Sequence, residues 1–598
     1  MNKKLLRKKL ALMLANLKKP RKYYCEIEYL ESTGTQYIDT GIYPANMTYI
    51  EADAQYTQIN IRQTLLGCYS SSDNKWNTFG STNPTSTYAN FFVQWAANYG
   101  GSVAEDTNKH HFVFDKPTKT FTVDSSSWTY TDPTTDVTNN TLYMFAMHDG
   151  STIDRQANAK IYCLKIKNGD TLVRDFIPVL DWNYVPCMYD KVTGQLFYNA
   201  GTGDFLYGRE IHYVDYLEST GTQYIDTGIS KGSVSVFRMT ATMSFDDRPS
   251  ANALGCGQSL QGGCFGIKSG SNNNIYFNLT GTDEFSSYEY TLGTMLNFDL
   301  DGVSGTFKVK DLYGATLYEA TRTSSTSSNS TNLILFGFIN TQGNQPRKQT
   351  IKDCKMYKSG VLVRDYYPAI DENGVGYMFD KVTHTIYDNA GTGAFKYPPV
   401  ELEYLGNTTT QYIDVGLKAD QNTALQVKFS PTNVASNYTG VMGARSGSDS
   451  KNISIGINSQ LGRLIADFNN SAAATYRAEA GVAGLSSSNI VEIYTSKERR
   501  EVTVDGVSLA LNVTPNTETF ETTGTVNLFR MNGLNPSNKA STNIYSAQMW
   551  SSGQLIRNFI PCYKDGVLGM WDKVNGVMYQ NAGTGDFSKS KIVEPEYE

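Results

Sequence analysis

Tyr29-Leu-Glu-Ser-Thr-Gly-Thr-Gln-Tyr-Ile-Asp-Thr-Gly-Ile42 returns unchanged at residues 216–229 and in altered form at 404–417, where Gly406-Asn-Thr-Thr-Thr410 replaces the central turn. A second signature closes each copy. Asp190-Lys-Val leads to Asn199-Ala-Gly-Thr-Gly203, Asp380-Lys-Val to Asn389-Ala-Gly-Thr-Gly393, and Asp572-Lys-Val to Asn581-Ala-Gly-Thr-Gly585. Openers recur 187 and 188 residues apart and closers 190 and 192 apart, so the repeating unit is a whole domain, far longer than a solenoid turn. The reading is three modules, 23–207, 208–397 and 398–588, preceded by a basic segment 1–22 and followed by a flexible polar tail 589–598.

Each copy opens on a polar-apolar alternation such as Glu26-Ile-Glu-Tyr-Leu30, breaks at Ser-Thr-Gly, and resumes as Gln36-Tyr-Ile-Asp39: strand, turn, strand. Further short β-runs follow, among them His111-Phe-Val-Phe114, Phe121-Thr-Val123, Leu333-Ile-Leu-Phe-Gly-Phe338 and Val502-Thr-Val-Asp-Gly506. Strands at this spacing, without helical periodicity, predict an all-β antiparallel sandwich. In the closing hairpin Gly194 supplies the positive φ that a bulged turn wants; the second copy has His384 in that slot, so its turn must differ or be strained. The linkers, residues 208–212 and 396–400, are short, and the second is stiffened by two prolines, which predicts a restricted arrangement of the modules.

The net charge of −6 conceals an asymmetry. Residues 1–22 carry nine Lys or Arg and no acid, leaving 43 basic against 58 acidic residues elsewhere. The modules are acidic, which argues against nucleic acid as a partner. No run of about 20 apolar residues exists, which excludes a membrane-spanning helix. The eight cysteines fall four, three and one among the copies and no pair recurs, so they read as reduced thiols of a protein folded in a bacterial cytoplasm, with the close pair Cys256 and Cys264 as the reservation.

In the basic segment Leu6, Leu10, Met13, Leu14 and Leu17 share one helical face, and Pro20 stops the helix. A secretion signal fits less well, because the apolar run from Leu10 to Leu17 is short, is broken by Asn16, and leads into Lys18-Lys-Pro-Arg-Lys22. Such a helix orders only against a partner. The reading is a tether to a larger assembly through a protein groove, with an anionic membrane the less favoured surface and a solvated tail the plain alternative.

The opener, the closer, and Leu172-Val-Arg-Asp-Phe-Ile-Pro178 with its counterparts at 362–368 and 555–561 resemble the laminin-G-like, concanavalin A-like jelly-roll modules of gut phage structural proteins and bacterial surface proteins. The resemblance implies three tandem two-sheet jelly rolls, a carbohydrate-binding role and no fixed catalytic residues. Laminin-G-like modules can also hold calcium on a rim loop, which makes the recurring Asp39, Asp226 and Asp414, and Asp190, Asp380 and Asp572, its candidate ligands. The plainer reading of these acids is turn capping and pairing with the recurring Arg174, Arg364 and Arg557. No other cofactor is expected.

Glycoside hydrolysis needs two acids on one strand face, and only the first copy offers them, at Glu51-Ala-Asp53-Ala-Gln55; the second has Met239-Thr-Ala-Thr-Met243 and the third Gln426-Val-Lys-Phe429. An ordinary exposed strand face is preferred, and no enzyme is expected. The histidines His110, His111, His148, His212 and His384 share no metal-ligand spacing. A sugar platform needs an exposed ring beside amides and carboxylates. Trp76, Trp95 and Trp182 lie in polar, copy-specific stretches of the first copy and are the candidate ligand residues, whereas Trp571 aligns with Tyr189 and Phe379 and reads as core. The function expected is a non-enzymatic bacteriophage protein displayed on the virion, bound to other virion proteins through its N-terminal helix and contacting host glycans, with homo-oligomerisation open. A bacterial cell-surface adhesin and a jelly-roll glycoside hydrolase are the alternatives.

Overall fold

The computed structural model describes residues 21–594 apart from 72–74, 83–89, 96–97, 131–137, 248–252, 260–264, 271–272, 280–283, 327, 341–342, 434–438, 447–449, 459–462, 471–476, 482–484, 512–518 and 534–540. The anchor residues Leu6, Leu10, Met13, Leu14 and Leu17 lie outside the described residues. Within the described residues the helical pieces are two 3₁₀ turns, Pro44–Asn46 and Val234–Val236, and no helix is long and apolar enough to cross a membrane.

The period-two alternation becomes antiparallel pairing. In the first copy Tyr49–Tyr56 lies between Asn158–Asn168 and Lys109–Asp115, and Asn158–Asn168 continues through Thr171–Leu180 to Pro186–Asp190. The second copy repeats this order with Phe237–Phe245 between Lys348–Lys358 and Leu296–Asp301, then Val361–Ile370 and Gly376–Asp380. The third does so with Thr423–Asn433 between Ser541–Ser551 and Val491–Thr495, then Gln554–Lys564 and Val567–Asp572. A second sheet accompanies it, built in the first copy from Gln63–Ser70, Lys75–Thr82, Asn90–Trp95 and Asn98–Ala104. The core forms where alternate residues of both sheets meet, Ile50, Ala52 and Ala54 from one and Leu65, Phe79 and Phe91 from the other. This is the layered β-sandwich that the alternation demands.

Opener and closer of every copy are bonded to each other. Ala200 N–H donates to Tyr37 O at 2.8 Å and Thr202 N–H to Thr35 O at 3.1 Å, and the same pairs recur as Ala390 with Tyr224 and Thr392 with Thr222, and as Ala582 with Tyr412 and Thr584 with Thr410. The Asn199 carboxamide accepts from Tyr37 N–H and Gly201 N–H and donates to Gly203 O. A Cβ on Gly201, Gly391 or Gly583 would stand 2.0–2.1 Å from the opener carbonyl beneath it, so glycine is required there by close approach, without any unusual φ.

The chain forms two compact units, one running to Lys396 and including Glu594, the other Tyr397–Val593. The first unit holds copies one and two. The expected linker around residue 210 is instead a strand, Glu210–Tyr213, paired with Cys25–Ile27 of the first copy and with Val361–Ile370 of the second. Copies one and two therefore share a ladder. Residues 398–401 likewise enter pairing, Val400–Glu401 lying along Gln554–Lys564 in the second unit.

Two terminal expectations are corrected. Residues 589–594 are not a flexible tail, because Ser588–Lys589 pairs with Leu405–Gly406, Ile592 bridges to Leu402, and Glu594 is buried. Arg21, counted in the anchor, belongs to the folded body, since its guanidinium meets Glu594 at 2.5 Å. The charges at both ends of the described chain are drawn in because each supplies the counter-ion that makes the other's burial tolerable.

The His384 turn keeps the shape of the others: φ is 44° there, against 69° at Gly194 and 65° at Gly576. The turn is retained and strained. The ring is buried and meets Phe379 edge-on at 5.5 Å. Cys25, Cys68, Cys163, Cys187, Cys354 and Cys562 are buried thiols outside any disulfide.

Candidate functional site

The recurring arginine–aspartate pairs form as the motifs imply. Arg174 Nε stands 3.7 Å from Asp190 Oδ2, Arg364 Nε 3.7 Å from Asp380 Oδ2 and Arg557 Nε 3.6 Å from Asp572 Oδ2, with each carboxylate fully buried. Asp190 Oδ1 accepts from Asp175 N–H at 2.9 Å and Val192 N–H at 3.1 Å, and Oδ2 accepts from Thr193 Oγ1 at 2.7 Å. The other two repeat this, with Asn575 replacing the threonine in the third. Three donors and the facing arginine thus engage each carboxylate, which ties the closing hairpin to the neighbouring strand. Asp39, Asp226 and Asp414 cap turns, each accepting from the glycine two residues on at 2.9 Å.

The paired acids of the first copy are likewise engaged. Glu51 takes Lys165 at 3.2 Å and the Tyr49 hydroxyl at 3.0 Å, while Asp53 holds His111 Nδ1 at 2.7 Å. That bond raises the His111 pKa against the opposing effect of burial.

The three tryptophans do not converge. Trp95 is a core residue, 1 % exposed and packed on Phe114 at 5.0 Å, because it sits on the inward-facing side of its strand. It cannot stack on a ligand. Trp76 stacks on Tyr69 at 5.0 Å and carries the Arg155 guanidinium 4.6 Å from its ring. Trp182 is exposed, and its indole N–H donates to Arg21 O at 3.2 Å. Trp571, read as core, is half-buried, with Lys564 Nζ 5.6 Å from its ring.

A different site emerges in the third copy. A groove of about 570 Å³ is lined by Asn422, Gln426, Tyr494, Glu498, Arg499 and Trp550 among others. Alternation puts Gln426, Tyr494 and Trp550 on the outer face of one sheet, Gln426 directly opposite Tyr494 and Trp550 opposite Ala424. The two rings meet edge-on at 5.8 Å, and Arg499 lies 4.9 Å from the Tyr494 ring.

The pairing register explains why the groove is open in this copy. Trp550 is matched by Lys167 in the first copy and Tyr357 in the second, and Ala424 by Tyr49 and Arg238. There the two positions close on each other as cation and ring: Lys167 Nζ stands 4.6 Å from the Tyr49 ring, and the Arg238 guanidinium 5.5 Å from the Tyr357 ring. Arg238 is further held by Asp299 through two bonds of 2.9 Å. Ala424 removes that cross-strand partner, leaving an indole rimmed by amides and charges. Residue types alone hide this signal, which lies in reading the copies by strand register.

A second cluster lies at the seam of copies one and two, where Cys25, Glu210 and His212 bring their donor atoms within 4.8 Å of one another. Spacing along the chain could not show it, since the cluster is made by pairing two openers.

No family model matches the chain. No curated protein matches it either. Among solved structures the LG1-3 region of the laminin α2 chain aligns with 95 % of this chain and 100 % of its own, at 10 % identity and a TM-score of 0.22. Mouse laminin α1 domains LG4-5 align over 58 % and 92 %, at 15 % identity and a TM-score of 0.22. Trypanosoma rangeli sialidase aligns over 84 % and 96 %, at 9 % identity and a TM-score of 0.18. Superpositions of this extent decide neither fold nor function, and the β-sandwich rests on the strand pairing itself.

Proposed function

We propose that the chain is a non-enzymatic binding protein of a bacteriophage particle, with three tandem jelly-roll sandwiches carried outward by residues 1–20 and a glycan-binding face on the third copy. The observation that carries the binding role is the outer-face groove around Trp550, where an uncapped indole and Tyr494 stand among Asn422, Gln426, Glu498 and Arg499. Rings that stack on the apolar face of a pyranose, beside amides and charges that take its hydroxyls, are the chemistry of sugar recognition. An open, shallow, polar groove suits weak binding that gains strength from many copies on one particle. The acids that a glycosidase would use, Glu51 and Asp53, are each bonded to a neighbouring side chain, which supports a binding role over hydrolysis.

The test has two arms on the full-length chain. Immobilised host-surface polysaccharide should retain the wild type and release Trp550→Ala, and mass spectrometry of purified particles should find the wild type and lose a variant lacking residues 1–20. Equal retention of Trp550→Ala would refute the groove, and incorporation of the truncated chain would refute the tether.

A further inference from the structure

The strands Cys25–Ile27 and Glu210–Tyr213 pair antiparallel with Glu26 opposite Ile211 and Ile27 opposite Glu210. One step along this ladder sets Cys25 opposite His212. Because side chains alternate faces, Cys25, His212 and Glu210 all project to one side, as cross-strand and i, i+2 neighbours. Cys25 and His212 are buried, and Glu210 is half-buried. One ligand atom from each lies within 4.8 Å of the other two.

His212 is gripped from both sides. Its Nδ1 is 2.6 Å from Glu594 Oε1, and its Nε2 is 2.8 Å from Glu210 Oε2. Arg21 meets Glu594 at 2.5 Å, so Glu594 faces Nδ1 as an acceptor for its N–H and Nε2 is the ring atom that faces Glu210. In the neutral imidazole, Nε2 then turns its lone pair toward the Glu210 carboxylate. Two acceptors at hydrogen-bond distance need a positive charge between them, either a proton or a metal ion.

We propose that Cys25, His212 Nε2 and Glu210 form a binding site for a divalent zinc-class ion, with Glu594 as the carboxylate that orients the imidazole. Thiolate, imidazole and carboxylate are the donors zinc selects, and a carboxylate on the far nitrogen of a ligating histidine is the usual outer-shell support. Charge also closes. The dication and Arg21 balance the carboxylates of Glu210 and Glu594 and the Cys25 thiolate, with His212 neutral. On binding, Cys25 gives up its thiol proton and the proton held between Nε2 and Glu210 is displaced, both to solvent, and Nε2 and Glu210 part by a few tenths of an ångström to accept bonds of about 2.0–2.1 Å. The ion would join the opener strands of copies one and two, a role independent of the glycan-binding reading.

Cobalt(II) titrated into the reduced, full-length chain is the direct probe, because a cobalt–thiolate bond absorbs in the near ultraviolet. The expected result is one equivalent bound with that band, loss of the band in Cys25→Ser and displacement by zinc. Glu594→Gln keeps all three ligands and should weaken binding roughly 10–100-fold, a readout that survives if Cys25→Ser fails to fold. Absence of a thiolate band in the wild type, or a band that persists in folded Cys25→Ser, would overturn the proposal and leave His212 as a proton-held clasp.

Discussion

Lys109 of the first copy ends on Thr383 of the second, its Nζ 2.9 Å from the Thr383 carbonyl oxygen. The same ammonium donates to His384 O at 3.1 Å and Thr385 Oγ1 at 2.8 Å, beneath the strained turn. Its stem lies against the Tyr162 ring, with Nζ 3.9 Å from the centroid. Burial lowers the Lys109 pKa, with nearby carboxylates, Asp53 foremost, opposing it. Lys109→Met keeps the stem and removes the donors, taking the ammonium from the His384 carbonyl and leaving the Thr383 carbonyl with the Thr385 hydroxyl. It should destabilise the unit holding copies one and two by roughly 1–3 kcal/mol. Calorimetry of the full chain checks this, and an unchanged transition would place Lys109 in solvent.

The same turn predicts a pH dependence. Burial, aided by Lys191, Lys109, Lys165 and Lys381, holds the His384 pKa well below its ordinary 6.5, whereas the unfolded chain takes up the proton near that value. A histidine depressed in this way contributes stability that is intact above 6.5 and lost as the pH falls below it. His111 works in the opposite sense, its bond to Asp53 raising its pKa, so its contribution is full below 6.5 and lost as the pH rises through the folded value. His384→Asn isolates the first effect, since asparagine tolerates a left-handed backbone and does not titrate. Between about pH 8 and about pH 5 the variant should lose less stability than the wild type. Denaturant midpoints at the two pH values measure it, and parallel losses would show that the ring is protonated in the fold.

Arg174 bonds the Thr40 carbonyl at 3.1 Å as well as facing Asp190, whereas Arg557 has no hydrogen-bond acceptor for its Nε. The matching carbonyl of the third opener is that of Val415, and among the described residues Arg557 Nε donates no bond to it. Arg174→Ala should therefore cost roughly 2–4 kcal/mol by stranding a buried carboxylate, and Arg557→Ala about 1 kcal/mol less. Asp190→Ala should cost more than either, because three donors lose their acceptor at once. Urea titrations rank the three, and equal losses for the two arginines would contradict the structural difference.

The end motifs were legible because their residues bond to each other. Ala200 and Thr202 of the closer meet Tyr37 and Thr35 of the opener, so both are fixed together in every copy. The paired arginines and aspartates were legible for the same reason. Trp95 misled because a polar neighbourhood in sequence says nothing about which side of a strand faces the core; its alternation with Phe91 and Val93 puts it inside. Trp550 went unnoticed because its exposure depends on Ala424, a partner named only by strand register. Arg21 and Glu594 were hidden further, since nothing in a charged end declares that the opposite end supplies its counter-ion.

The groove of the third copy can be closed by the device that closes its counterparts. Arg238 reaches across to Tyr357 in the second copy, at the position that Ala424 holds opposite Trp550. Ala424→Arg should lay a guanidinium over the indole, an interaction of about 0.5–1 kcal/mol at a half-exposed site. Stability should be roughly unchanged, because Ala424, although only 6 % exposed, lines the outer-face groove and is not part of the sandwich core. Sugar retention should fall as far as it does in Trp550→Ala, which removes the ring instead of covering it. Two variants that disable the groove by opposite means, one adding side-chain volume and one deleting it, separate loss of the platform from loss of fold. Retention of polysaccharide by Ala424→Arg with an intact melting transition would show that ligand lies elsewhere on the chain.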